Sequence, residues 1–261
     1  MKLDGIRVLD LSRFLPGPLC TQMMLDHGAE VIKIEAVEGG DPTRNAGGKR
    51  DGISVFFANT NRGKKSLALD LKSTDGVEAV MRLAATCDVV VESFRPGVAD
   101  RLGIGYAEVR KRAPHIVYAS ISSFGHSGPK RGLASHDLMI EAAAGSLSIT
   151  RGKDGAPVIP GLAGADILAA TTALAGILMG LLRRQSTGEG DFLDIAMSDC
   201  LLAGLVNNID TAMIERQVPD VISGRSLGGN ALYSIYKASD GEWVAIGSQE
   251  PKFAANILNA L

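Results

Sequence analysis

The sequence predicts an α/β protein in which a mostly parallel, doubly wound sheet is followed by part of a smaller α+β domain. Three observations predict this fold. Strand-like segments rich in Val and Ile alternate with helical segments, one long apolar helix follows them, and a strand–turn–strand pattern comes only near the end. Alternation predicts parallel pairing because parallel strands need a crossover connection. We place a large Rossmann-like domain at residues 1–217 and the start of a small domain at residues 218–261.

The elements of the large domain follow from hydrophobic periodicity and from turn residues such as Pro16, Gly17 and Pro18. We predict strands at Ile6–Leu11, Glu30–Glu35, Ser66–Asp70, Asp88–Glu92, His115–Ser122 and Asp191–Ile195. We predict helices at Leu19–His27, Val55–Asn59, Thr74–Ala85, Val98–Arg112, Ser135–Ala144, Ile167–Leu182 and Met197–Ile214. In the small domain we predict a hairpin of Ala231–Tyr236 and Trp243–Gly247, then a helix at Lys252–Leu261.

Composition excludes several classes of protein. The 27 Lys and Arg residues nearly balance the 29 Asp and Glu residues, so no strong field favours nucleic acid or an anionic membrane. Cys20, Cys87 and Cys200 are far apart and match no metal-ligand spacing, which indicates core residues in a reducing compartment. The start of the sequence shows no signal-peptide pattern. We therefore expect a cytoplasmic protein without a metal site.

The common nucleotide-binding fingerprints are missing from this chain. The sequence contains neither GxGxxG nor GxxxxGK[ST]. This disfavours a dehydrogenase and a P-loop enzyme. Ligands of doubly wound sheets nevertheless bind beyond the carboxyl ends of the strands, so the loops after the predicted strands remain the places to inspect.

Asp166 is the outstanding residue of the long helix. It lies after a Gly- and Ala-rich turn and directly before the apolar run Ile167–Leu182. That run of 16 residues is shorter than the roughly 20 that span a bilayer, which favours a core helix. Asp166 can be an ordinary helix N-cap, or a reactive carboxylate held at a buried helix start. The segment alone leaves both open.

Other polar residues suggest an acid/base set and an anion site. His136 precedes a predicted helix, and with Asp166 and Glu250 it could form a set of opposed acids and bases, although sequence cannot show that they converge. Arg62, Lys64 and Lys65 form the tightest basic cluster of the first half of the chain, and a polyphosphate could rest there.

Six blocks of sequence, in order, resemble one family. They are LDGIRVLDLSRFLPGPLCTQMMLDHGAEVIKIE, NRGKKSLALDLKSTDG, VVVESFRPGVADRLGIGY, IVYASISSFGHSGP, GADILAATTALAGIL and STGEGDFLDIAMSD. They resemble the family III CoA-transferases, also called the CaiB/BaiF family, which includes the α-methylacyl-CoA racemases. The resemblance implies a Rossmann-like large domain, a small domain and an interlocked homodimer. It also implies further sequence beyond Leu261, so we expect the chain to be truncated.

The resemblance implies two active-site chemistries. In the transferases, the residue matching Asp166 attacks an acyl-CoA thioester, forms a mixed anhydride and then carries CoA as a thioester to a carboxylic acid acceptor. A Gly-rich loop matching Gly228–Gly229 covers the reacting centre. In the racemases, the residues matching His136 and Asp166 exchange the proton α to the thioester, and the one matching Glu250 orients the histidine. The flanking sequence GADILAA looks more like the transferases.

The expected function is therefore a CoA-transferase that uses acyl-CoA as substrate and holds no permanently bound cofactor. A racemase and a non-catalytic CoA-binding protein are the alternatives. One departure from the family is Ala36, which stands where many relatives carry an arginine facing CoA, so Lys33, Arg44 or the Arg62–Lys65 cluster would have to supply that charge. The matching CoA-contact positions are Arg13, Leu15, Pro16, Leu69, Lys72, Ser93, Phe94, Arg101 and Met197.

Overall fold

A computed structural model describes residues 1–152, 154–220, 224 and 229–260. The chain divides into two units, one of Met1–Ala144 with Leu162–Gly204 and one of Gly145–Gly161 with Leu205–Leu261. The predicted domain boundary after residue 217 stays a prediction, and it lies inside the second of these units. Gly228, part of the predicted covering loop, lies outside the described residues.

Six parallel strands form the sheet of the first unit. Their order is β5-β2-β1-β6-β7-β8, with a separate short hairpin of β3 and β4. This is the 3-2-1-4-5-6 order of Rossmann-type sheets, so the predicted doubly wound fold is confirmed. The strands are β1 Arg7–Asp10, β2 Glu30–Glu35, β3 Lys49–Arg50, β4 Ile53–Ser54, β5 Lys65–Ala68, β6 Val89–Glu92, β7 Val117–Ser122 and β8 Asp191–Ala196.

Helices cover both faces of this sheet. Apolar residues of alternate strand positions, such as Val8 and Leu9, enter two different cores, as the two-residue period of a strand requires. One core contains residues of α1, α6, α8 and α9, and the other contains residues of α3, α4 and α5. The helices are α1 Pro16–Asp26, α2 Val55–Asn61, α3 Thr74–Ala84, α4 Val98–Arg101, α5 Tyr106–Arg112, α6 Asp137–Ala144, α7 Ser146–Ile149, α8 Gly164–Thr187, α9 Met197–Gly204, α10 Val206–Glu215 and α11 Pro251–Ala260.

Two predicted helices are each broken into two. Helix α4, the first part of the predicted helix Val98–Arg112, ends at Arg101, because Gly103 adopts a left-handed φ of +76° that does not occur in a continuing helix. The predicted helix Met197–Ile214 stops at Gly204, where a Cβ would lie 2.7 Å from the Leu168 side chain. In both cases glycine marked the break.

Helix α8 is the longest element of the described chain. Its alanines and glycines let it lie close to the sheet: a Cβ at Gly180 would be 3.0 Å from Val117. Ala165, Ala169 and Ala173 are fully buried in the core. By length and apolar composition α8 is the one helix among the described residues that could cross a membrane. Its buried side belongs to the core, as the sequence predicts for a core helix.

The second unit contains α7, α10, a two-stranded antiparallel sheet and α11. The strands are β9 Tyr233–Lys237 and β10 Trp243–Gly247, with Trp243 opposite Lys237 and Gly247 opposite Tyr233. The predicted hairpin is confirmed, although its first strand begins two residues later than predicted.

Candidate active site

A large cleft of the first unit opens at the carboxyl edge of the sheet, between β1 and β6. The strand order reverses there, which is where doubly wound sheets bind their ligands. The cleft has a volume of about 760 Å³. Residues after β1, β6 and β7 line it, together with residues of α6, α8 and α9. They include Arg13, Phe14, Pro16, Ser93, Phe94, Arg95, Arg101, Ser122, Ser123, His136, Met139, Asp166 and Met197.

Asp166 is the third residue of α8 and its side chain lines the cleft. The residue at the N-cap position is Ala163, which has no capping side chain. Instead Asp137 of α6 caps the helix: its Oδ1 accepts from the backbone N–H of Ala165 at 2.9 Å and of Asp166 at 3.1 Å. The interpretation of Asp166 as an N-cap is therefore wrong. Its own carboxylate accepts no hydrogen bond from the described residues.

A second carboxylate of α6 completes this cap. Glu141 is buried and accepts a hydrogen bond from the N–H of Gly164, the first residue of α8. Asp137 and Glu141 lie four residues apart and so face the same side of α6. Together they satisfy three of the four N–H groups that a helix start leaves without partners.

These surroundings change the acidity of Asp166. Burial, followed by the negative charge of Asp137, raises its pKa to about 7. A helix N-terminus alone would favour the ionised form, but burial and Asp137 outweigh that effect here. Burial and then Asp137 also raise the pKa of Glu141. Asp166 can therefore change its charge near neutral pH, which suits a nucleophile or a base.

His136 lines the same cleft from the start of α6. Its carbonyl oxygen accepts from the N–H of Met139 and of Ile140, so its backbone opens the helix while the imidazole stays exposed. The ring lies edge-on against Phe14, with centroids 5.8 Å apart. Phe14 has a φ of +66°, an uncommon value for a residue with a side chain, and such values cluster at functional sites.

Most of the predicted binding residues meet at this cleft. Three predicted contacts do not line it. Leu15 lies at the N-cap position of α1, and the Leu69 N–H donates to the carbonyl of Glu35. Lys72 lines a neighbouring cleft of about 610 Å³ that shares Arg101. Arg13, Pro16, Ser93, Phe94, Arg101, Met197, His136 and Asp166 all line the first cleft. Glu250 belongs to the second unit, immediately before α11, so its convergence with His136 stays a prediction.

The prediction that Arg62, Lys64 and Lys65 bind a polyphosphate is wrong for Lys64, the central residue of this cluster. Lys64 is buried and forms an ion pair with Asp10, with Nζ 3.0 Å from Oδ2. Lys33 is equally buried and pairs with Asp41 at 3.0 Å. These two ammonium groups hold the fold together and do not face a ligand. Arg44, Arg62 and Lys65 are more exposed, but they pair with Glu35, Asp26 and Glu30 respectively.

Three cations without an ion pair among the described residues lie at the cleft itself. Arg13, Arg95 and Arg101 are exposed and make no ion pair with any residue that the structure describes. The Arg13 guanidinium lies 5.7 Å from the centre of the Phe94 ring. Arg95 was not among the predicted CoA contacts, although it lies in a loop after β6 at the switch point where ligands bind. Sequence reasoning also missed the roles of Asp137 and Glu141, for which the signal was carboxylates in the first turns of the helix after His136.

The Rossmann-type sheet places the chain in the class of doubly wound α/β proteins, and the unpaired arginines at its switch point suit an anionic ligand. Comparison with known proteins identifies the family. CoA-transferase family III matches residues 3–261, and the chain belongs to it. A mouse (Mus musculus) succinyl-CoA:glutarate CoA-transferase is 38% identical over 98% of this chain and 59% of its own length. The succinyl-CoA–D-citramalate CoA-transferase of Chloroflexus aurantiacus is 35% identical over 99% of this chain and 64% of its own length.

A solved structure agrees with this assignment. A CaiB/BaiF family protein from Brucella suis superposes with a TM-score of 0.85 at 32% sequence identity, covering 99% of this chain and 75% of that one. The fold and the family predicted from the sequence blocks are therefore confirmed. The chain spans about three-fifths of the length of the two curated relatives.

Proposed function

We propose that the protein is an acyl-CoA:carboxylic acid CoA-transferase in which Asp166 is the nucleophile. The observation that carries this proposal is the position of the Asp166 carboxylate, which lines the cleft while Asp137 and Glu141 perform the capping of α8. A carboxylate without hydrogen-bonded partners keeps its lone pairs for attack. Family membership and the transferase activity named for both relatives support the same chemistry.

The proposed reaction divides a difficult exchange into easier steps. The ionised Asp166 attacks the thioester carbonyl, the carbon–sulfur bond breaks, and CoA leaves as a thiolate from an aspartyl mixed anhydride. The thiolate attacks the aspartyl carbonyl and releases the donor acid, which leaves an aspartyl-CoA thioester. The acceptor carboxylate then displaces CoA to form a second anhydride, and the thiolate takes the acceptor acyl group and frees Asp166.

The charges of the cleft fit CoA at one end and a carboxylic acid at the other. Arg101 lines both neighbouring clefts and Lys72 lines the second, so we assign the phosphates of CoA to these two cations. The two relatives are named for succinyl-CoA with glutarate or D-citramalate, which are dicarboxylic acids. We therefore propose a dicarboxylic acceptor, whose second carboxylate would meet the unpaired Arg13 or Arg95.

A racemase is the second candidate, because His136 and Asp166 line one cleft. Proton exchange at the carbon α to a thioester needs two such groups on opposite sides of that carbon. A racemase would exchange that proton with solvent deuterium without any acceptor acid, and loss of either His136 or Asp166 would abolish the exchange.

One set of assays distinguishes the CoA-transferase from the racemase. The protein is incubated with succinyl-CoA in deuterated water, with and without glutarate. A transferase forms glutaryl-CoA only when the acid is present, and hydroxylamine displaces CoA from the aspartyl thioester, which leaves Asp166 as a hydroxamate that mass spectrometry detects. Asp166→Asn abolishes transfer, whereas His136→Ala keeps part of it. Deuterium uptake without glutarate that needs both residues would replace this proposal with the racemase.

A further inference from the structure

A second cavity of the first unit lies behind the wall of the cleft. It has a volume of about 210 Å³, and of its lining residues Arg95 alone also lines the larger cleft. The aromatic rings of Tyr106, Tyr118 and Phe192 pack together along it, with centroids 5.2 to 6.0 Å apart. The charged and titratable residues that line it are Glu92, Arg95, Asp100, Tyr106, Tyr118 and His126.

A chain of hydrogen bonds begins in this cavity. Glu92 ends β6 and is directly opposite Ser120 of β7, and their side chains share a hydrogen bond. The Oγ of Ser120 is 2.7 Å from Nε2 of His126. Glu92 is 2% exposed and Ser120 is 0% exposed, so bulk water does not compete for these bonds. The backbone N–H of His126 donates to Asp194 at 3.0 Å, which holds the histidine in place.

The same glutamate holds the wall of the larger cleft. Oε2 of Glu92 accepts the backbone N–H of Phe94 at 2.7 Å. The neighbouring Ser93 Oγ accepts the N–H of Arg13 at 2.9 Å, and the Arg13 guanidinium faces the Phe94 ring. The side of the cleft that carries Ser93, Phe94 and Arg13 is thus tied to one buried carboxyl group.

We propose that Glu92, Ser120 and His126 are positioning residues for CoA: they form a relay that holds this wall, and the hydrogen bonds of the relay reverse direction when Glu92 takes up a proton. The proposal rests on the proposed function only in assigning the larger cleft to CoA. None of the three residues needs to touch the reacting atoms.

The two states of the relay follow from the donors available. With Glu92 ionised, Nε2–H of His126 donates to Ser120, Ser120 donates to Glu92, and the charged oxygens also hold the Phe94 N–H. With Glu92 protonated, its O–H donates to Ser120, Ser120 donates to Nε2, and the imidazole carries its proton on Nδ1. The relay gains one proton in this change, and Glu92 carries it. The Phe94 N–H then binds a neutral acceptor, which is a weaker bond.

The environment of Glu92 places this change near neutral pH. Burial raises its pKa to about 7, against the opposing effect of the hydrogen bonds from Ser120 and Phe94, and the charge of Asp100 raises it further. Tyr118 stays uncharged because burial raises the pKa of its phenol. The wall should therefore be held more firmly above pH 7 than below it.

The first experiment measures CoA binding by titration calorimetry at about pH 6 and about pH 8, on either side of the Glu92 pKa. Two variant proteins are compared. Both carry Asp166→Asn, which removes the other carboxyl group of the cleft that titrates in this range. One of them also carries Glu92→Gln, whose amide imitates protonated Glu92 by accepting from Phe94 and donating to Ser120. The phosphates of CoA titrate alike in both measurements, so the ratio of the two affinities isolates Glu92.

We expect equal affinities at the lower pH and roughly fivefold tighter binding by the protein with Glu92 at the higher pH, because a hydrogen bond to a charged acceptor is stronger than one to a neutral acceptor. A ratio that stays constant with pH would overturn the positioning role. The same comparison with His115→Gln, a histidine bonded to the carbonyl of Cys87 outside both cavities, should leave the ratio at one.

The second experiment needs no ligand. Nitrogen-15 spectra of the His126 ring should show the proton on Nε2 above pH 7 and on Nδ1 below it in the wild-type protein. In Glu92→Gln the proton should remain on Nδ1 throughout. A tautomer that does not change with pH would overturn the relay. Absence of CoA binding in every variant would count against the proposed function, while this spectrum would still test the relay, even if Glu92→Gln failed to fold.

Discussion

At the residue scale, the raised pKa of Asp166 makes a prediction about folding stability. An aspartate ionises near its ordinary pKa of 3.8 when unfolded, but at about 7 in the folded protein. The folded state binds the proton more tightly, so the ionised carboxyl destabilises the fold increasingly as pH rises from about 4 to about 7, and by a constant amount above that. Asp166→Asn removes this cost.

The expected measurement is a thermal unfolding curve for both proteins across this pH range. The two melting temperatures should agree near pH 4, and the variant should be the more stable by about 1–2 kcal/mol above pH 7, a value reduced because Asp166 keeps some contact with water. If Asp166 were an N-cap, the variant should show no such gain at any pH, because Asn caps a helix about as well as Asp does. The sequence could not distinguish these readings, because Asp137, the residue that caps α8, lies on another helix.

A second prediction concerns Asp137 and the pH dependence of activity. Asp137→Asn keeps an oxygen to accept from Ala165 and Asp166 but removes the charge that helps to raise the pKa of Asp166. The acid limb of the activity profile should shift to lower pH, because Asp166 then ionises more readily. Asp154→Asn is the matched control, since Asp154 is an exposed aspartate that accepts from the N–H of Ala156. A limb that stays in place would show that burial alone sets this pKa.

At the scale of elements, a buried ion pair joins β1, α1 and the segment before β5. Lys64 donates to Asp10, to the carbonyl of Pro18 and to Thr21, and Asp10 also accepts from Ser12. Burial would raise the pKa of Asp10, but Lys64, Lys33 and the two hydroxyls outweigh it and hold that pKa well below its usual range. These bonds fix the chain directly before Arg13 and Phe14, two residues of the cleft.

Lys64→Met should therefore leave a buried, unpaired carboxylate and cost about 3–5 kcal/mol of unfolding free energy. Denaturant titration measures the loss, and adding Asp10→Asn should restore part of it. Lys65→Met is the control: its ammonium is 69% exposed in its pair with Glu30, so the cost should stay below about 1 kcal/mol. Equal losses in the two variants would contradict the network.

Elements also show what sequence can and cannot predict. The periodicity of each segment predicts the order of strands and helices. The strand order of a Rossmann-type sheet then locates the cleft at its switch point, so the position of the cleft could also be predicted. Lys64 and Lys65 are adjacent in sequence, yet one is buried and the other exposed. Only the tertiary structure separates them. The Glu92–Ser120–His126 relay joins three segments for the same reason, and no local motif marks it.

At the scale of the whole molecule, α8 leaves an apolar surface uncovered. Leu178, Met179 and Leu182 are 40%, 65% and 67% exposed, on the helix whose other side fills the core. Exposed apolar patches of this kind mark interaction surfaces. The resemblance to family III implies a homodimer, and we predict that this surface is buried in it.

Leu182→Glu should then convert a dimer into a monomer, because dimerisation would bury an unpaired charge. Light scattering of the purified protein measures the mass, and Asn59→Glu, at an exposed position of α2 away from this surface, supplies the matched control with the same added charge. The length and apolar character of α8 also allow a test of the membrane alternative. A protein that sediments with membranes until detergent is added would contradict a dimer surface, whereas a water-soluble dimer that Leu182→Glu separates would assign the exposed side of α8 to a second copy of the chain.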